Sequence, residues 1–398
     1  MGGARRYGPG IVRSRVGCSV FSERPVPTQT DIDRRHLARA IELAENGRGR
    51  VSPNPLVGAV VAVDGEAIGE GFHRELGGPH AEVEAIRCAR GRDLSLATLY
   101  VSLEPCCHHG RTPPCTDAIR DARIGRVVVA SDDPSEHASG RGLGVLRDDG
   151  VEVIVAEGEL AARARLLNQP FRKHARTGRP WVLFKSAMTL DGKVASSRGD
   201  SKWISGEESR RIAHHWRAEC DAVAVGIGTA LADDPMLTAR VKGVARQPRR
   251  IVFDSLARLS LESKLVRDAR RVPLSVVVSR AAPRTATDAL ETHGANVVVA
   301  AGENEPARVV SALEQLGAQG VGAILLEGGP HLAGAFLDAG EVDEIRLFLA
   351  PLVLGGRTAR DAIEGEGAEA IADAVRALTL ECEPVEDDLL ISARIKEW

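Results

Sequence analysis

Three short segments carry residue types that could do chemistry together: His80-Ala81-Glu82, Glu104-Pro105-Cys106 and Pro113-Pro114-Cys115. One imidazole and two thiolates give a zinc ion three protein ligands. A catalytic zinc keeps its fourth position open, whereas a structural zinc fills all four with protein. Zinc in an open site makes water acidic near neutral pH. Glu82 then has a defined task as the general acid and base that carries the proton to a ring and a leaving amine. A non-ligand Glu two residues after the His is the logic of the zinc nucleobase deaminases. Other readings stay open at this level. Cys106 and Cys107 could be ordinary buried thiols, and His108 or His109 could supply a fourth ligand that closes a structural site. The spacing also departs from the general Cys-x-x-Cys pattern, since eight residues separate Cys106 from Cys115.

A second constellation lies far along the chain. Glu327-Gly328-Gly329-Pro330 follows an apolar run, Ala323–Leu326. Two glycines permit close backbone approach, and proline suits the first turn of a helix. A helix amino terminus at that point can bind pyrophosphate, although many such turns bind nothing. No Gly-x-Gly-x-x-Gly follows a strand, so the usual dinucleotide fingerprint is absent.

The elements that must position these residues are legible as alternating patterns. Asp31 predicts an N-cap, with Leu37, Ile41 and Ala44 at helical spacing and a stop at Asn46-Gly47. Residues 56–63 read as a strand, Asp64-Gly65 as a hairpin turn and 67–72 as its partner. A helix is expected from His80 to about Arg90, a strand over 98–103, a helix from Cys115 or Thr116, and buried strands over 127–130 and 151–155. Such alternation implies a three-layer α/β domain. A helix near 160–175 leads to Thr177-Gly178-Arg179-Pro180, the most plausible linker. Beyond it, strands are expected over 181–187, 222–225, 250–253, 274–278, 295–299, 323–326 and 389–395, with helices near 207–219, 306–316 and 330–337. Few motif residues cross the linker, which predicts that the halves are separable.

Size and composition bound the rest. At 398 residues, two domains are expected. Apolar residues at 43% and charged residues at 27% exclude a wholly disordered chain. No apolar run approaches the length of a membrane span. A net charge of −3 argues against a protein devoted to gripping a polyanion, and 3% aromatics leave few stacking platforms for single strands. Seven cysteines, three of them within ten residues, read as metal or catalytic chemistry in a reducing compartment rather than a disulfide framework. Residues 1–30, with five arginines and one acidic residue, have no secretory signal and read as an extension, with a weak likeness to a transit peptide.

The motifs taken together resemble one family. Pro53-Asn54-Pro55-Leu56-Val57-Gly58, Gly78-Pro79-His80-Ala81-Glu82 and the run from Leu103 through Cys106-Cys107-His108-His109-Gly110-Arg111-Thr112 to Cys115 are similar to the bifunctional RibD family of riboflavin biosynthesis. Thr189-Leu190-Asp191-Gly192, Leu231-Ala232-Asp233-Asp234-Pro235 and Glu327-Gly328-Gly329-Pro330 extend the likeness over roughly residues 31 to 398. The resemblance implies a cytidine-deaminase-like three-layer α/β/α domain over 31–176, zinc-dependent, and a dihydrofolate-reductase-like α/β domain over 179–398, NADPH-dependent. The first would deaminate a diaminopyrimidinone carrying a phosphoribosylamino group. The second would reduce the ribosyl group to ribityl. By family pattern, His80, Cys106 and Cys115 hold zinc, Glu82 is catalytic, and Asn54, His73, His108 and Arg111 meet the pyrimidine substrate. Cys107 stands where the family often has Ser and receives no ligand role. Cofactor contacts map onto Ala187, Trp203, Ser205, Thr229, Asp233, Ser255 and the stretch Gly329, Pro330, His331, Leu332, Ala333, Gly334 and Ala335. Reductase substrate contacts map onto Ser201, Arg217, Leu237, Arg240 and Glu327. No protein acid for hydride transfer stands out. The implied partners are small phosphorylated pyrimidines, with no nucleic acid or membrane, in a cytoplasmic homo-oligomer. The competing readings are a zinc-dependent nucleobase or tRNA deaminase with an accessory α/β domain, and a zinc-stabilised binding module without catalysis.

Overall fold

A computed structural model describes residues 28–110, 112–136 and 138–398. The expected extension thus lies almost wholly outside the described residues, as does Arg111. The first half runs α1 (Gln29–Ala44), β1 (Gly58–Val63), β2 (Glu66–Phe72), α2 (Ala81–Cys88), β3 (Thr98–Val101), α3 (Cys115–Asp121), β4 (Arg126–Val129), α4 (Arg141–Asp148), β5 (Glu152–Val155), α5 (Glu159–Leu167) and α6 (Gln169–Thr177). Its sheet has the order β2-β1-β3-β4-β5, antiparallel around β1 and parallel from β3 to β5. Apolar side chains of α2, α3 and α4 cover one face, and those of α1 and α5 cover the other. This is the expected three-layer arrangement.

Two local expectations shift. The N-cap of α1 is Thr28, whose side chain accepts from the Asp31 N–H while the Asp31 carboxylate accepts from the Thr28 N–H. Asp31 is therefore the return arm of a capping box rather than the cap itself. The single helix expected near 160–175 is two helices that meet at Asn168. Its buried side chain accepts from the Leu56 N–H at 2.8 Å and donates to the Leu56 carbonyl at 2.9 Å. Pro170 then opens the first turn of α6.

The second half continues with β6 (Trp181–Thr189), β7 (Lys193–Ala195), α7 (Glu207–Glu219), β8 (Ala222–Gly226), α8 (Ile227–Asp233), β9 (Arg249–Phe253), α9 (Lys264–Arg267), β10 (Leu274–Val278), α10 (Arg284–Thr292), β11 (Asn296–Val299), α11 (Glu305–Ala318), β12 (Ala323–Leu326), α12 (Pro330–Asp338), β13 (Glu344–Ala350), β14 (Arg360–Asp361), β15 (Thr379–Val385) and β16 (Asp388–Arg394). A nine-stranded sheet has the order β11-β10-β9-β8-β12-β6-β13-β16-β15. It is parallel from β11 to β13, and β16 and β15 add antiparallel at one edge. Residues of α7, α9 and α10 pack on one face and those of α11 and α12 on the other. The central strands are buried on both faces and read as apolar runs, as parallel strands do.

The halves are tied at the linker. Lys173 of α6 is fully buried, with Nζ 2.9 Å from Glu341 Oε2 and 2.7 Å from Asp343 Oδ2. Trp398 closes the same junction. Its indole Nε1–H donates to Asp343 at 2.8 Å, its N–H donates to Gln169 at 2.7 Å, and its carbonyl accepts from Arg172 at 2.6 Å. Ser52 Oγ donates to Asp221 Oδ2 at 2.6 Å on another part of the junction.

Candidate active sites

The first site sits where two helices begin. His80 is the N-cap residue of α2, and Cys115 is the first residue of α3. Cys106 follows β3 in a loop whose carbonyl accepts the Thr116 N–H. The ligand atoms of His80, Cys106 and Cys115 all lie within 4.8 Å of one another. His80 Nδ1 is the converging atom, 3.2 Å from Cys115 Sγ and 3.5 Å from Cys106 Sγ. The other ring nitrogen, Nε2, is 3.2 Å from Thr112 Oγ1. Among the described residues the cluster has three members, and His108 and His109 are exposed and not part of it.

Whether a zinc ion suits these residues is answered by their own atoms. Glu82 is 3% exposed and its Oε2 has no hydrogen-bond partner. A buried acceptor of that kind needs a partner that protein does not supply. Burial and the neighbouring Cys106 thiol push the Glu82 carboxyl up to about 7. The hydrogen bond from Cys115, with His80 beside it, pulls the Cys106 thiol down to about 4. One imidazole, a loop sulfur, a second sulfur at the first turn of a helix, and an orphaned carboxylate form a donor set that fits zinc.

A pocket wall adjoins the cluster. His73 is buried, its Nδ1 is 3.0 Å from the Pro79 carbonyl, and its Nε2 is 3.1 Å from Asn54 Nδ2. Donation from His73 Nδ1 to that carbonyl leaves Nε2 as an acceptor for the amide. Burial lowers the His73 pKa, in keeping with a neutral ring. The His73 and His80 rings meet edge to face at 5.4 Å. Asn54, His73, His80 and Glu82 are thus brought together. Glu104, which sequence reasoning passed over as a mere neighbour of Cys106, is buried and accepts from the N–H groups of Gly140 and Gly142, both at 3.0 Å. A Cβ on Gly142 would stand 2.0 Å from the Pro105 carbonyl, so only glycine lets α4 brace the Cys106 loop this closely.

The second half holds a cavity of about 320 Å³ at the carboxyl ends of β8, β9 and β12. Thr229, Ser255, Gly329, Pro330, His331, Leu332 and Ala335 line it, as the sequence expects. Gly329 caps α12, and a Cβ there would stand 3.3 Å from Thr229 Oγ1. A bare backbone at a helix start, with Arg258 and Arg308 also lining the cavity, fits a dinucleotide's phosphates. Those two arginines were not singled out from sequence, because a lone arginine has no local signature. Other expected contacts lie elsewhere. Ala333 is 1% exposed and packs in the core. Gly334 sits against the Glu364 backbone, where a Cβ would meet the carbonyl at 1.8 Å. Ala187 packs at the border of the core on β6, and Ser205 is buried. Trp203 is 67% exposed under the Arg210 guanidinium, and Asp233 pairs with Lys202 at 3.0 Å.

Beside the cavity, Arg217 of α7 meets Glu327 in a two-pronged pair, Nε–Oε1 2.6 Å and Nη2–Oε2 2.7 Å. Burial alone would raise the Glu327 carboxyl, but the guanidinium outweighs it and holds the group at about 2. Lys185 on β6 interacts with both groups, and burial lowers its pKa. A lysine within the apolar run Trp181–Thr189 was the sequence signal for it. Leu237 has φ +52° and is 3% exposed, its side chain in the core. Arg240 is exposed, and Ser201 is half-buried.

Comparison with known proteins places both halves in known families. Residues 30–131 match the family model for the cytidine and deoxycytidylate deaminase zinc-binding region, and residues 180–391 match that for the RibD C-terminal domain. The riboflavin biosynthesis protein RibD of Actinobacillus pleuropneumoniae is 40% identical over 374 residues, covering 94% of this chain and 98% of that protein. That of Escherichia coli (strain K12) is 39% identical over 355 residues, covering 86% and 94%. Among solved structures, RibD of Acinetobacter baumannii (form 2) superposes with a TM-score of 0.81 at 34% identity, covering 93% of this chain and all of that one. The diaminohydroxyphosphoribosylaminopyrimidine deaminase/5-amino-6-(5-phosphoribosylamino)uracil reductase of Thermotoga maritima gives 0.78 at 36%, covering 92% and 99%. With likeness of this extent running through both halves, and a three-ligand metal cluster and a glycine-capped helix where each half needs them, the chain belongs to the RibD family of riboflavin biosynthesis proteins.

Proposed function

We infer that this chain is a bifunctional enzyme that deaminates 2,5-diamino-6-(5-phosphoribosylamino)pyrimidin-4(3H)-one and then reduces the ribosyl group to give 5-amino-6-(5-phosphoribitylamino)uracil. The observation that carries the reading is the buried Glu82, with an unpartnered oxygen, beside the His80–Cys106–Cys115 cluster. Zinc, when bound, supplies Lewis-acid activation of water near neutral pH. His80, Cys106 and Cys115 hold it. Glu82 Oε2 takes the water's proton and returns it to the ring and the departing ammonia. Asn54 and His73 orient the pyrimidine, with His108 and Arg111 on the substrate loop.

NADPH, when bound, supplies the hydride. Gly329, Pro330 and His331 receive its phosphates at the start of α12, with Thr229 and Ser255 across the cavity, and Arg217, Arg240 and Glu327 position the phosphorylated sugar. The reduction also needs a proton. Lys185, whose desolvation favours giving one up, stands beside Glu327 and is the group suited to hold it. The domain boundary belongs near 176–179. A homo-oligomer is supported by the outer strand β15, where Leu380 is 71% exposed beside exposed Leu378 and Leu389. The lack of a disulfide among the described cysteines supports a reducing, cytoplasmic setting. Among the described residues no helix is long and apolar enough to cross a membrane. A small-molecule substrate rather than a nucleic acid is supported by the net charge of −3.

Incubation with the phosphorylated diaminopyrimidine, with and without NADPH, tests the reading. Ammonia should appear in both cases and NADPH absorbance should fall only after it. No ammonia from zinc-loaded protein would overturn the deaminase assignment.

A further inference from the structure

Two arginines, Arg217 and Arg240, stand near His214, and the structure treats them differently. The Arg217 charge is met by the two-pronged Glu327 pair, and its remaining Nη1 donates to the Thr238 carbonyl at 3.2 Å. Arg240 has no carboxylate within ion-pair distance among the described residues. Its guanidinium instead points Nε and Nη2 at one atom, His214 Nε2, at 3.1 and 2.8 Å. His214 lies on α7 one turn before Arg217. Its other nitrogen, Nδ1, is buried without a hydrogen-bond partner close to the Thr238 backbone.

A protonated imidazole has no lone pair to offer. The Arg240 contact therefore requires a neutral ring with Nε2 unprotonated. The surroundings enforce that state. Burial first, then the charges of Arg217 and Arg240, lower the His214 pKa to about 4. A carboxylate at position 214 would neutralise Arg240 and compete with an incoming anion. A neutral acceptor orients the guanidinium and leaves its charge unspent. An exposed arginine otherwise samples many rotamers, and that freedom is lost on binding.

We propose that His214 is a positioning residue of the reductase site, holding Arg240 as the guanidinium that reads the substrate's phosphate while Arg217 is committed to Glu327. The proposal rests on the reading above that Arg240 touches the phosphorylated substrate, and it divides between two arginines a task assigned to both.

Steady-state reduction of the deaminated phosphorylated intermediate by the full-length protein tests it. Arg240→Ala should raise KM by about 10- to 100-fold, the range for losing a charged hydrogen-bonding partner. His214→Ala should raise KM about 5-fold with little change in kcat and none in the KM for NADPH, since the guanidinium remains and only the ordering of one side chain is lost. His214→Gln, which returns an acceptor oxygen, should recover most of that loss. The double variant should be no worse than Arg240→Ala alone, because the two act as a unit. Should His214→Ala not fold, His214→Leu takes its place against His214→Gln. If Arg240→Ala raises KM and His214→Ala does not, or if the two effects multiply independently, the role of His214 is overturned and the phosphate reading stands. If Arg240→Ala leaves KM unchanged, the reading beneath it fails and the proposal with it. Equal losses for His214→Ala on a dephosphorylated analogue would mark a merely structural residue and also overturn it.

Discussion

Glu82 has a buried oxygen with no protein partner, a cost the fold bears because the atom works elsewhere. Glu82→Gln keeps the volume and all three ligands, so zinc content by elemental analysis should stay at one per chain. Ammonia release should fall by about 10²–10⁴-fold, the usual worth of a general acid–base. Near-normal deamination would sink the assignment of Glu82. Cys106→Ser and Cys115→Ser should act differently. Each removes a thiolate from a three-ligand site, so both should lose metal along with activity in the same elemental analysis. The type and spacing of His80, Glu82, Cys106 and Cys115 were legible because the chemistry restricts which residues can serve. Glu104 and His214 were not, because each works through a hydrogen bond to a segment far away in the chain.

Helices and strands place these groups at their ends, where backbone donors are unpaired. The break between α5 and α6 shows how an element can be set from outside. Pattern alone continues one helix through 160–175, yet Asn168 turns its side chain to the Leu56 N–H and carbonyl. Those two bonds fix the segment that carries Asn54. Asn168→Ala should cost about 1–3 kcal/mol by leaving buried backbone groups unpaired, measured by urea denaturation. The same variant should raise KM for deamination more than it lowers kcat, since the pocket wall rather than the zinc cluster is loosened. Unchanged stability would show that the bonds are replaced by water. Strands β13 and β15 were missed for a related reason. The edge strand Thr379–Val385 intersperses charges, which an edge tolerates, and the interior strand Glu344–Ala350 opens with Glu344 and Arg346 paired to each other; a period-based reading rejects both.

The two halves share one buried ion cluster, and that changes what separation means. A fragment beginning at Arg179 lacks Lys173, Arg172 and Gln169, and so leaves Asp343 and Glu341, both buried in the full chain, without the ammonium that both contact there. Breaking a buried pair by removing one partner typically costs about 3–5 kcal/mol. A fragment starting at Asn168 should therefore be more stable than one starting at Arg179 by about that amount in denaturant titrations. The longer fragment should oxidise NADPH when given the deaminated intermediate. Equal midpoints for the two fragments would show that the clasp contributes nothing to the reductase half. Lys173→Met in the full chain should lower stability without changing zinc content.

By itself the sequence singled out His80, Cys106 and Cys115 as candidate metal ligands and Glu82 as candidate acid–base residue, and it determined much of the alternation of strands and helices and the glycine-capped start of α12. These depend on residue type and short spacing, which chemistry and backbone geometry restrict locally. Only the tertiary structure brought three candidate ligand atoms together among the described residues, committed Arg217 to Glu327 while Arg240 leans on His214, and locked the linker helix into the reductase half. Those facts rest on contacts between residues a hundred or more positions apart in some cases, and on burial. No local pattern records either, because both come from how the faces of distant elements meet.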